Sequence, residues 1–147
     1  MVQEGNLPWA TLGVAEADPW GNRFRYVVHS TYSNRPPSTT LLSLNPSPAS
    51  NLQVCTTSAC TTTLATQVPA IILSHGKNGL GAISANTGAA NAAPSTADEI
   101  ENTNLNQNLV SRVASGAGSG AGEFDDIVAW LPASILFSRL VAAGKLP

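Results

Sequence analysis

The stretch Asp18-Pro19-Trp20-Gly21-Asn22-Arg23-Phe24-Arg25-Tyr26-Val27-Val28 constrains this chain more than any other. Pro19 presets φ for an early turn position, Gly21 is free to adopt φ > 0, and Phe24, Tyr26 and Val28 then alternate with Arg23, Arg25 and Val27. A tight corner therefore feeds a strand. A Trp directly before an alternating strand predicts an indole pinned beneath the sheet, so Trp20 is expected to be a buried peg. Gly21 is expected to be the bend, and Arg25 to pair with an acid such as Asp125. Taken alone, the stretch describes a hairpin corner in a β-containing domain.

Composition sets the scale. A chain of 147 residues suffices for a single globular domain (1–147) that removes roughly 70% of its unfolded surface from water without a metal or a dense disulfide network. Only 11% of residues are charged, against about 25% in an ordinary soluble protein, so the surface has to be neutral and polar. A net charge of −2 with scattered Arg provides no basic stripe, which argues against binding nucleic acid. No run of about 18 apolar residues occurs, so no membrane span is expected within these residues. Cys55 and Cys60 bracket Thr56–Ala59 and are expected to close a small disulfide loop in an oxidising compartment, contributing about 2 kcal/mol; the alternative is two free thiols. Their spacing fits neither a C-x-x-C redox motif nor a zinc set.

Along the chain, Met1–Asn6 carries no strand or helix pattern. Leu7–Gly13, broken by Pro8 and Gly13, reads as an extended entry carrying Trp9 and Leu12 inward. Phe24–Thr31 is a strand. Asn34–Pro48 is a proline-rich loop in which Leu41–Leu44 can dock as a short edge strand. The Thr-rich Asn51–Thr66 reads as a hairpin stapled at its tip by the Cys pair. Val68–Ser74 predicts a strand covered on both faces, and His75–Gly81 a turn. In that turn Lys77 is followed by Asn78 and glycine, which departs from the phosphate-binding G-x-x-x-x-G-K-[ST] pattern.

Ile83–Asn108 is mostly loop, with a capping box at Ser95–Asp98 opening a short helix whose acidic first turn suits the helix dipole. Asp98, Glu99 and Glu101 are also a candidate calcium set, although they lack the alternating ligands and turn glycine of a calcium loop. Leu109–Val113 is a strand, Ala114–Gly122 a hairpin loop, and Phe124–Leu131 the last strand, with Asp125 and Asp126 at the sheet rim. Pro132 starts a helix in which Ile135, Leu136, Leu140 and Val141 share a face and Gly144 supplies the stop.

Four segments, in order, resemble pilin-like proteins. They are Leu7-Pro8-Trp9-Ala10-Thr11-Leu12-Gly13, the "D-x-W-G-x-x-x-x-Y" corner at Asp18–Tyr26, Ile71-Ile72-Leu73-Ser74-His75-Gly76-Lys77-Asn78-Gly79, and Phe124-Asp125-Asp126-Ile127-Val128-Ala129-Trp130. The chain thus resembles the pseudopilins of type II secretion systems and the minor pilins of type IV pili, although its "D-D-I-V-x-W" end and terminal helix differ from the C-terminus of the major pseudopilins. The resemblance implies an α+β fold: a pilin-like antiparallel β-sheet head with long loops and a C-terminal helix, cut from a long N-terminal hydrophobic helix.

The function so implied is that of a structural subunit. Its leader is removed by a prepilin peptidase, and it is anchored in the inner membrane of a bacterial cell envelope with a periplasmic head, or is extracellular in a filament. Its implied partners are other pilin or pseudopilin subunits and the inner-membrane assembly machinery, and the head without its helix is expected to be monomeric.

Catalytic candidates are sparse: His29, His75, Asp125, Asp126 and serines. Ser74 and His75 are neighbours whose side chains point to opposite faces of a strand. Asp125 and Asp126 on a strand diverge rather than face each other across the roughly 5 to 9 Å that acid–base cleavage uses. Two His without spaced carboxylates give no metal triad. No catalytic residue, bound metal or cofactor is expected. The alternative from another class is a secreted β-rich recognition or adhesin-like module that binds through the loops Asn34–Pro48 and Ile83–Asn108.

Overall fold

In chain order the elements are β1 (Val2–Asn6), α1 (Trp9–Leu12), β2 (Arg25–His29), α2 (Ser30–Ser33), β3 (Gln53–Cys55), β4 (Thr63–Ala65), β5 (Ala70–Ser74), α3 (Ala97–Thr103), β6 (Asn108–Val110), β7 (Ile127–Leu131) and α4 (Ala133–Ala142). This is a computed structural model, and it describes residues 2–33, 50–104 and 106–145. The architecture is α+β. An antiparallel sheet of order β1-β2-β5-β7 accompanies a smaller mixed sheet of order β4-β3-β6, in which β3 pairs antiparallel with β4 and parallel with β6.

Period-two alternation places the core. On one face of the large sheet Val27, Ile71 and Leu73 pack with Leu52, Val54, Val68 and Leu109, and Val2, Val128 and Trp130 close the margins. The Thr-rich hairpin forms as β3 and β4, and Cys55 and Cys60 are disulfide-bonded within it. The turn after β5 and the stop at Gly144, whose φ is +65°, also form as the residues dictate.

Several expectations are corrected. The residues after Met1 are not patternless backbone: Val2–Asn6 pairs along β2 as an edge strand, a role that polar residues fill because only one side needs a partner. Leu7–Gly13 is not extended but turns through α1. Its inward residue is Leu7, whose N–H donates to the Phe24 carbonyl at 2.9 Å, while Leu12 is exposed.

The strand expected over Phe24–Thr31 ends at His29, and the chain turns into α2. The strand expected over Leu109–Val113 stops at Val110 because its partner β3 stops at Cys55. In α4 the half-buried stripe is Leu136, Phe137 and Leu140, while Ile135 and Val141 face outward. The α3 N-cap is Thr96, with no side-chain cap bond. Leu41–Leu44 lies outside the described residues. No helix among the described residues is long and apolar enough to cross a membrane.

Candidate functional site

The corner is held by a carboxylate. Asp18, buried, accepts the Trp20 and Asn22 backbone N–H groups on Oδ1 at 3.0 and 2.9 Å, and the Ser74 hydroxyl on Oδ2 at 2.6 Å. Gly21 makes the bend with φ at +83°. Because Asp18 already pins the corner to the end of β5, no indole peg is needed. Trp20 is 44% exposed, which corrects the expected burial, and it lines a cleft with Lys77, Ser111, Arg112, Asp125, Asp126, Ile127 and Val128.

Arg25 pairs with Glu4 and donates to the Thr103 carbonyl at 3.1 Å, while Arg23 pairs with Glu16 at 2.7 Å and lies over the Trp9 ring. Neither reaches Asp125, so the expected rim pair does not form.

The second face of the large sheet carries Tyr26, Val28, Ala70, Ile72, Ile127, Ala129 and Leu131, placed together by the strand registers. Its two ends are covered. The α2 residue Ser33 donates to Gln3 at 2.6 Å where Val28 and Ala70 are buried, and Asp18 holds Ser74 at the other end. Between them the face is open. Ile72, on a central strand, is 37% exposed, and Ile127 and Ala129 are exposed beside it. Of the two covers expected for Val68–Ser74, the one over Ile72 is absent among the described residues; it is the face that the pilin-like resemblance leaves to a long N-terminal helix. Tyr26 is half-buried here, and that burial raises its phenol above its ordinary pKa.

The acids of α3 separate. Asp98 accepts the Ser58 N–H at 2.8 Å and the Arg112 guanidinium at 2.7 Å; Glu101 accepts from Asn104 and Asn106. Asp98, Glu99 and Glu101 thus share no ligand point. Glu99 instead turns inward, 1% exposed, to meet Asp125 and Asp126, which lie in the irregular segment between the Phe124 bridge and β7 rather than within a strand and so converge instead of diverging. An oxygen of each of the three lies within 4.8 Å of those of the others.

Burial raises Glu99 above its ordinary pKa, with the Asp125 and Asp126 charges adding, and burial raises Asp125 as well. His75 Nδ1 stands 3.5 Å from Asp126 Oδ1, both side chains buried. Sequence reading missed the group because Glu99 is far along the chain from its partners. The one local signal is Gly76. Its φ is +61°, and a Cβ there would lie 2.5 Å from the Asp125 Oδ1 and overlap the Asp125 backbone carbonyl.

Comparison of the chain with family models, with curated proteins and with solved structures finds no match.

Proposed function

We propose that this chain is the globular head of a pilin-like subunit, and that its large sheet seats a long hydrophobic helix through which the subunit enters a type IV pilus or a type II secretion pseudopilus. The observation that supports this best is the open apolar strip of Ile72, Ile127 and Ala129 between two covered ends. Burying a side chain such as Ile72 is favourable by roughly 1.5–3 kcal/mol, so a central strand left open has a partner to gain.

A second support is that the segments resembling the family meet in space. The corner bonds Ser74 through Asp18, the turn at Gly76 abuts Asp125, and Leu7 bonds the Phe24 carbonyl.

Two experiments test the reading. The gene is read upstream of this chain, where a basic leader and an apolar helix of at least about 20 residues are expected; an upstream region without them sinks the proposal. Ile72→Asp in the full-length protein is then expected to leave the head folded but remove the subunit from sheared filaments. Incorporation at the wild-type level would count against the sheet face as the helix seat.

A further inference from the structure

We infer that the free edge of β7 pairs with β7 of a second copy of this chain, antiparallel about Ala129, so that the two large sheets run on as one. The strand order makes β7 an edge, and among the described elements β5 alone lies along it. The registers show which of its backbone groups are unused. His29 N–H donates to the Pro69 carbonyl at 3.0 Å, so alternation along β5 turns the N–H and C=O groups of Ile71 and Leu73 toward β2, and those of Ala70, Ile72 and Ser74 toward β7. Leu131, Ala129 and Ile127 stand opposite them, which leaves the N–H and C=O groups of Val128 and Trp130 aimed outward. No other hydrogen bond among the described residues takes them up.

The sequence of β7 fits itself. A two-fold about Ala129 sets Val128 against Trp130 of the second copy, each exchanging N–H and C=O with the other, and sets Ile127 against Leu131. Every pair is apolar, and a β-branched residue beside an indole is a favourable cross-strand pair. Ala129 meets its own copy in the closer, non-hydrogen-bonded position, where a small side chain lets the backbones approach. Val128 and Trp130, only partly buried at the margin of the core, and Ile127, 55% exposed, all lose contact with water by it. Beyond the strand, Asp126 falls opposite Pro132 rather than another acid. Edge strands are ordinarily blunted by charge, proline or a bulge, and the five residues of β7 carry none of these.

The opposite edge of the same sheet behaves differently. Leu7 N–H donates to the Phe24 carbonyl, so along β1 the outward backbone groups belong to Val2, Glu4 and Asn6. Pairing that edge with its own copy would centre on Glu4 and set carboxylate against carboxylate, and α2 packs beside it. β1 is thus closed to self-pairing, and β7 is open. Edge pairing leaves the Ile72 face free in both copies, so it does not depend on the helix seat; it departs from the expectation of a monomeric head.

The test is sedimentation velocity of this chain. For so short an edge a Kd on the order of 10⁻⁴ M is expected, so raising the concentration from about 10 μM to about 1 mM should carry the mass from one chain to two. Val128→Pro removes an outward N–H and none of those facing β5, and should raise Kd at least about tenfold, with circular dichroism checking that it folds. Ala129→Cys, at an exposed position, should link two chains by a disulfide in oxidised glutathione, because a non-hydrogen-bonded pair stands about 4.5 Å apart at Cα, within disulfide reach. Glu4→Cys, in the middle of the other edge, should link far more slowly. A chain still single at the highest concentration overturns the pairing and leaves the edge to a different partner. A dimer that folded Val128→Pro does not weaken, or a Glu4→Cys link as fast as that of Ala129→Cys, overturns its place on β7; a dimer in which Ala129→Cys fails to link overturns the register.

Discussion

Asp98 and Glu99 are consecutive residues of α3, both acids, and they meet opposite fates. Asp98 faces Arg112 and the Ser58 N–H; although burial pushes its pKa up, these donors outweigh the effect and hold it below the ordinary carboxylate value. Glu99 faces two further acids and is driven above it. A helix turns consecutive side chains about 100° apart, so one residue of offset separates a satisfied ion pair from a crowded pocket. Burial of an acid therefore says little until the partners of each oxygen are counted.

The largest expected effect attacks the pocket's support. Gly76→Ala places a Cβ against the Asp125 carbonyl at a positive φ and should cost about 3 kcal/mol or more in urea unfolding, because both the backbone and Asp125 have to move. A loss below about 1 kcal/mol would mean that the turn relaxes freely and that Asp125 is not held there.

Next comes the direct comparison of neighbours. Asp98→Ala strands the Arg112 guanidinium, which also spans Ser115 and the Ala121 carbonyl, and should cost about 2–3 kcal/mol. Glu99→Gln in EDTA should instead leave stability within about 1 kcal/mol of wild type or raise it, since it removes one of three crowded charges. Equal losses for the two variants would erase the contrast.

Acidification separates them again. Asp98, depressed below its ordinary 3.8, binds fewer protons folded than unfolded near that pH, so its contribution is present above it and fades as pH falls through its folded value. Glu99, raised above 4.5, has the opposite sign: its contribution is full below 4.5 and is lost as pH rises through its folded value. In EDTA the wild-type chain should thus gain stability as pH falls from neutrality toward 4.5, then lose it near and below 3.8, and Glu99→Gln should reduce the gain while preserving the loss. A gain of the same size in Glu99→Gln would assign it to other groups.

What the sequence disclosed divides along similar lines. The bend at Gly21, the Cys55–Cys60 hairpin and the stop at Gly144 depend on residues a few positions apart, and propensity carried them. β1 was hidden because Val2–Asn6 has no alternation that marks a strand; it exists by pairing with β2. The Glu99 cluster was hidden more deeply, since it forms only when α3, the turn at Gly76 and the irregular segment before β7 come together. The apolar run on β5 was legible as needing cover on both faces, and the Ile72 face lacks it among the described residues.

Trp20 carries the smallest expected effect and the sharpest correction. An aromatic buried under a sheet would lose roughly 3–5 kcal/mol on truncation to Ala. Here Asp18 anchors the corner through the backbone of Trp20 and Asn22, contacts that Trp20→Ala leaves in place, and the partly exposed indole lines the cleft beside the acids. The expected cost is therefore under about 1 kcal/mol, while Asp18→Ala, which releases Ser74 and two backbone N–H groups, should cost several times more. If Trp20→Ala proves as damaging as Asp18→Ala in the same unfolding assay, the indole is holding the corner and the carboxylate is not its main anchor.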